Sequence, residues 1–231
     1  MPAPVSSAPP RGRSDFTTTF VLKALIAQGV LSSEQAQNIL AREGAARARV
    51  LKAQGITDPK EAARFDVSPV EIIAAFQVPL ADGRGVLDED RISEFAARAA
   101  GVPYKKIDSL KLDMALATRT VSRPFAQKHV LLPLERKPDG RLVVAVANPF
   151  DQELFENLQQ LAGMSIEPVL SAKVDILRAI ADIYGFKRTL ARAADDFTQA
   201  GTAQLGNFEQ LVSLRGRQEL DAGDQPVVQA V

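Results

Sequence analysis

Between residues 129 and 184 the spacing of hydrophobic positions changes repeatedly, and each change is marked by a turn residue. Leu131–Glu135 and Arg141–Ala147 are short runs rich in Leu and Val. Between them, Pro138-Asp139-Gly140 supplies a fixed φ, a side-chain acceptor and a residue tolerant of φ > 0, which predicts a hairpin. Asn148-Pro149 breaks the second strand, and Asp151 is placed to cap a helix. Leu154, Phe155, Leu158, Leu161 and Ala162 fall on one face of that helix, so this face is expected to be buried. Gly163 ends it, and Ile166–Leu170 reads as a further strand. Ser171 then opens a last helix with Val174, Leu177, Ala181 and Tyr184 on one side. If the strands flanking the first helix share a sheet, the connection between them is a right-handed crossover.

Upstream, the pattern is helical from residue 16 to 100. FTTTFVLKALIAQG reads as a helix ending at Gly29, and Ser32 with Gln35 has the capping-box spacing. Asp58-Pro59-Lys60-Glu61 and Ser68-Pro69-Val70-Glu71 each give a cap, Pro at the first helical position and Glu at the third. Ala81–Gly85 is a turn, after which Asp88 caps a helix carrying Ile92, Phe95, Ala96 and Ala99 to a stop at Gly101. QGVLSSEQ, QGITDPKE and RGVLDEDR repeat one grammar of Gly, branched apolar residue and cap, with the glycines at 29, 55 and 85. Val102–Ile107 reads as an extended strand, followed by short helices around Asp113–Thr120 and Arg123–Lys128 with Ser122 as a cap. The fold class is therefore α+β: a helical N-terminal region, then a small α/β domain of three to four strands with a hairpin and a βαβ-type crossover, at residues 101–186. Residues 1–15 are proline-rich and read as a disordered leader, and residues 187–231, which lose clean periodicity, read as a linker.

Composition narrows the function classes. Lys and Arg total 28 and so do Asp and Glu, so no net field attracts nucleic acid or anionic lipid. No apolar run reaches the ~18 residues of a membrane span, and the N-terminus lacks a signal-peptide core, which predicts a cytoplasmic chain. Cys is absent, which removes disulfides, thiolate metal sites and cysteine catalysis. Phosphate-loop, dinucleotide-fold, nucleophile-elbow and zincin motifs are all missing, so no catalytic residues and no metal site are assigned and the chain is not expected to be an enzyme in its own right. The single histidine, His129, precedes a strand and reads as structural. Asp88, Glu89 and Asp90 are explained by the positive end of the helix they open. Arg42, Arg47, Arg49 and Lys52, and further on Lys187, Arg188 and Arg192, lack interleaved aromatics and read as solvated helix surface.

Several residues nevertheless carry a resemblance. Gly101–Tyr104 is a G-hydrophobic-P-aromatic opening, Val130–Leu134 a V-L-P-L strand, Ala147–Asp151 an A-N-P-F-D turn, and a P-V-L strand precedes a capped helix ending I-Y-G. In order and spacing this resembles the N-terminal domain of type II secretion and type IV pilus assembly ATPases, the GspE/PulE/PilB family. The helical region resembles imperfect MshEN-like repeats, a segment that in some relatives binds cyclic di-GMP. Gly29, Leu31, Gln35 and Leu40 fit one copy, and Gly85, Leu87, Ile92 and Ala96 a second. Where relatives have R-L-G, this chain has Phe20-Val21-Leu22 and Phe76-Gln77-Val78, which lack the cationic fork and the close backbone approach. The tail DQPVVQAV resembles the opening of the next domain, so the resemblance implies either the N-terminal part of a longer motor protein, with the ATPase core in cis beyond Val231, or a stand-alone remnant of one. The resemblance implies a docking and regulatory module at the inner-membrane face, whose partner is the cytoplasmic domain of a membrane platform protein. A cyclic di-GMP sensor at Gly29, Leu31, Gly85 and Leu87 is the alternative.

Overall fold

Side-chain oxygens set the helix starts. The computed structural model describes residues 15–80 and 85–185. In its first half, α1 (Thr18–Ala27), α2 (Ser33–Ala41), α4 (Pro59–Arg64), α5 (Pro69–Ala74) and α6 (Glu89–Ala100) are capped by Thr17, Ser32, Asp58, Ser68 and Asp88. Each cap oxygen accepts a backbone N–H that the helix cannot satisfy itself. Ser32 with Gln35 and Ser68 with Glu71 form complete capping boxes. Only α3 (Glu43–Ala53) among these six starts without a side-chain cap, directly after α2.

The second half opens with an extended segment and a short 3₁₀ turn (Ser109–Lys111), then α7 (Met114–Thr120) and α8 (Arg123–His129), capped by Asp113 and Ser122. β1 (Leu131–Arg136) pairs antiparallel with β2 (Leu142–Val146), and β2 pairs parallel with β3 (Ile166–Leu170). Helix α9 (Gln152–Ala162) makes the crossover between β2 and β3, and α10 (residues 173–185) follows. The sheet order is β1-β2-β3, and all five residues of the central β2 are buried, as a strand covered on both faces requires. Pro133 lies on edge strand β1, where its missing N–H costs no ladder bond, and the register shifts between Pro133 and Glu135. Gly140, at φ 85°, closes the hairpin, and Asp139 accepts from the Arg141 backbone at 3.1 Å.

Five sequence expectations are corrected. Val102–Ile107 pairs as a strand only at Tyr104, bridged to Leu170; the Leu170 N–H donates to the Pro103 carbonyl at 2.8 Å. Ser171 does not cap α10: its hydroxyl donates to the Lys105 carbonyl, and the Ala172 carbonyl accepts the first helical bonds. The buried face of α10 is Ile176, Ala179, Ile180 and Ile183, leaving Val174 44% exposed. The expected and the observed sets both fall at helical spacing, and the packing of α10 on the sheet core selects the stripe through Ile176, Ile180 and Ile183. On α9, Leu154 and Leu158 are buried but Leu161, in the last turn at the rim of the stripe, is 61% exposed. On α6, likewise, Ala99 faces solvent and Ser93 and Ala97 are buried.

Three apolar clusters result. One fills the sheet and its helices; a second joins α1, α2, α5 and α6; a third joins α3 to α5. Leu170, the last residue of β3, belongs to the second cluster and is 1% exposed, so the sheet inserts a side chain into the helical core. Burial of one such leucine contributes about 2 kcal/mol. A second tie is aromatic: Phe150, in the turn after β2, meets Phe20 edge-on at 5.2 Å and Phe16 at 6.3 Å. The described residues up to Tyr184 form one compact unit. The leader up to residue 14, residues 81–84 of the turn and the linker 187–231 lie outside the described residues.

Candidate functional site

Gly29 and Gly85 both adopt positive φ, 71° and 122°, and a Cβ at either would meet nothing within 4 Å. They serve turn geometry, and space is open above them. Leu31 and Leu87, two residues on in each case, are 5% and 1% exposed and sit in the same apolar cluster. The four sequence-matched positions thus form two similar corners, each a left-handed glycine, a core leucine and a helix cap at Ser32 or Asp88.

The basic stretch on α3 is partly engaged within the protein. Arg47 donates to the Phe65 carbonyl at 2.7 Å, and the Arg49 guanidinium lies over the Phe76 ring at 5.5 Å. Arg42 and Lys52 face solvent. Lys187, Arg188 and Arg192 lie outside the described residues. His129 ends α8 with its ring 4.5 Å from that of Phe125. Among the described residues no group of three or more acidic or imidazole side chains is placed to hold a metal ion, and no helix is long and apolar enough to cross a membrane.

The acidic run at the start of α6 does more than complement a dipole. Asp88 caps the helix through the Arg91 N–H at 2.9 Å, as its position predicts. Asp90 accepts from the Tyr104 hydroxyl at 3.1 Å and pairs with Lys106, which also pairs with Asp175 at 2.8 Å. Burial, and next to it the Asp90 carboxylate, hold the Tyr104 proton well above the ordinary phenol range. Burial pulls Lys106 down, but its bonds to Asp175 and Asp90 outweigh this and raise its pKa. Deeper in, Lys173 of α10 pairs with Glu71 of α5 at 3.0 Å, donates to the Asp66 carbonyl at 2.5 Å and lies over the Phe65 ring at 5.0 Å. Beside this pair, Glu71 and Glu89 border a cavity of about 310 Å³ whose other walls include Gln54, Val50 and Ala53 of α3.

This junction, with partners more than a hundred residues apart in the case of Glu71 and Lys173, was not legible as a site in the sequence. The only signal was local: Lys173 and Asp175 occupy positions on α10 where a helix packed on a sheet ordinarily carries apolar residues.

Residues 100–190 match the family model of the MshEN domain, a span that covers the α/β half and leaves the helical repeats outside it. The chain is 30% identical over 144 residues to a type IV pilus assembly ATPase, TfpB, of Acinetobacter baylyi (strain ATCC 33305 / BD413 / ADP1). That similarity covers 61% of this chain and 24% of the relative, so the chain spans about a quarter of that relative's length. Among solved structures, one described as MshE with cdg is 17% identical, covering 71% of this chain and 98% of its own, with a TM-score of 0.47. The N-terminal domain of XpsE is 17% identical, covering 60% of this chain and 93% of its own, with a TM-score of 0.35.

Proposed function

We propose that this chain is the docking and regulatory part of a type II secretion or type IV pilus assembly ATPase, and that its α/β half binds the cytoplasmic domain of an inner-membrane platform protein. The observation that carries this reading is the MshEN match, which falls on residues 100–190, together with the likeness to TfpB. The geometry supports a binding role: the α/β half is a three-stranded sheet packed between helices, and it presents Met114, Leu161 and Val174 as exposed large apolar side chains. Such side chains anchor interfaces when a partner covers them. ATP hydrolysis and hexamer formation belong, in this reading, to a separate motor domain.

The test is calorimetric. The full chain is titrated with the cytoplasmic domain of its platform protein, and micromolar or tighter binding is expected. Asp substitution at Met114, Leu161 or Val174 should weaken it about tenfold or more at whichever positions lie in the contact. No binding up to about 100 μM, or ATP turnover by this chain above blank, would sink the proposal.

A cyclic di-GMP sensor is the second reading, favoured by the open space above Gly29 and Gly85. Against it stands the burial of Leu31 and Leu87, which would have to leave the core to cover a base. Titration of the chain with cyclic di-GMP should release no heat. Micromolar binding lost on substituting Gly29 and Gly85 would establish the sensor instead.

A further inference from the structure

The junction of the two halves holds more carboxylates than cations. Glu71 from α5, Glu89 and Asp90 from α6 and Asp175 from α10 meet three cations, the ammonium groups of Lys173 and Lys106 and, 3.7 Å from Asp175, the more exposed guanidinium of Arg178. Lys173 is engaged by Glu71, the Asp66 carbonyl and the Phe65 ring. Lys106 is engaged by Asp90 and Asp175. Glu89 is left without an ion-pair partner among the described residues, and its Oε2 is shielded from solvent with no hydrogen bond. Ser93, one turn further along α6, is 1% exposed and also leaves its Oγ unbonded. The start of α6 therefore turns unmatched polar groups into the packing.

An ionised Glu89 in this position holds one carboxylate oxygen, Oε2, out of water without a donor, and it faces like charges on two other elements. The neutral acid avoids both costs. We propose that Glu89 is a proton-operated latch between the helical and α/β halves: protonated, it lets α6 close against α5 and α10; ionised, it repels Glu71 and Asp175 and loosens the first turn of α6 from the junction. The groups that face it are Glu71 from α5, Asp175 and Lys173 from α10, and Asp90 from α6 itself, while Gln54, just past the end of α3, lines the same cavity but donates its amide N–H to Glu71 Oε1 at 3.0 Å. Its pKa follows the geometry. Burial first, then Glu71, Asp175 and Asp90, push it up from 4.5 to about 7, with Lys173 acting in the opposite sense. Because the folded value lies above the unfolded one, the native state keeps a proton that the unfolded chain has lost. The resulting stabilisation is complete below about pH 4.5 and disappears as pH rises through about 7. The latch stands apart from the docking assignment and would operate whatever the partner.

The full chain and its Glu89→Gln variant test it, both carrying His129→Gln so that the only histidine does not titrate in the same window. Carboxyl ¹³C NMR on the Glu89 chain should show one glutamate titrating near pH 7, absent from the Gln variant. Urea unfolding between about pH 5 and 7 should give an unfolding constant that rises with pH, by up to about tenfold per unit, in the Glu89 chain. The Gln variant, isosteric with the protonated acid, should change by less than about twofold over the same range. Hydrogen exchange in the first turn of α6, corrected for intrinsic rate, should accelerate above pH 7 only when Glu89 is present. A Glu89 midpoint below about 5.5, or the same pH slope in both proteins, overturns the proposal.

Discussion

Lys173 shows how much one side chain settles in this protein. Its side chain is 6% exposed, and its ammonium joins a helix of the α/β half to the Glu71 carboxylate, to a loop carbonyl and to the Phe65 ring. Glu71 has a second duty, closing the capping box of α5 by accepting from the Ser68 N–H at 2.7 Å. A buried pair gains little net energy, because desolvation offsets attraction, but breaking it strands a charge. Lys173→Ala should therefore destabilise the chain by about 3–5 kcal/mol in urea denaturation. The double change Lys173→Met with Glu71→Leu should recover most of that loss, leaving a deficit of about 1 kcal/mol from the broken cap. The cap could be read from Ser68 and Glu71 because it is local. The pairing could not, since nothing across a separation of 102 positions records that the two residues meet.

At the scale of the element, turn chemistry carries the most information. Gly29, Gly55 and Gly85 each adopt positive φ, each is followed within two positions by a buried Leu or Ile, and each stands three residues before a cap. Gly29→Ala should cost about 1–2 kcal/mol by forcing a Cβ into the left-handed region, although space is open there. Gly44, inside α3 with an ordinary backbone and open surroundings, gives the opposite sign: Gly44→Ala should stabilise by about 0.5 kcal/mol. Thermal melts of the two variants beside the parent would check both. Strand β3 and the hairpin were legible for the same reason, because Gly163 and Pro138-Asp139-Gly140 punctuate them. The face of α10 was not. Val174, Leu177, Ala181 and Tyr184 have helical spacing, and so do Ile176, Ala179, Ile180 and Ile183. Only the tertiary packing on the sheet chooses the second set.

For the molecule as a whole, the two tyrosines are placed as natural reporters. Tyr104 hydrogen-bonds Asp90 at the junction, whereas Tyr184 donates to the Val121 carbonyl at 2.6 Å within the α/β half. With no tryptophan in the chain, a Tyr184→Phe variant leaves Tyr104 as the sole emitter. Its fluorescence transition in urea should coincide with that of far-UV circular dichroism, as cooperative unfolding of both halves demands. A Tyr104 transition at clearly lower urea would mean that the junction opens first.

Leu170 gives this cooperativity an evolutionary edge. A sheet whose last residue completes the core of the neighbouring bundle is a poor unit of exchange. A gene fusion that carried the α/β half alone into another protein would bring an uncovered leucine, an unpaired Lys173 and a bare Phe150 face with it. Shuffling would therefore have to move the bundle and the sheet together, and lineages that lost one half would need compensating changes at these same three positions.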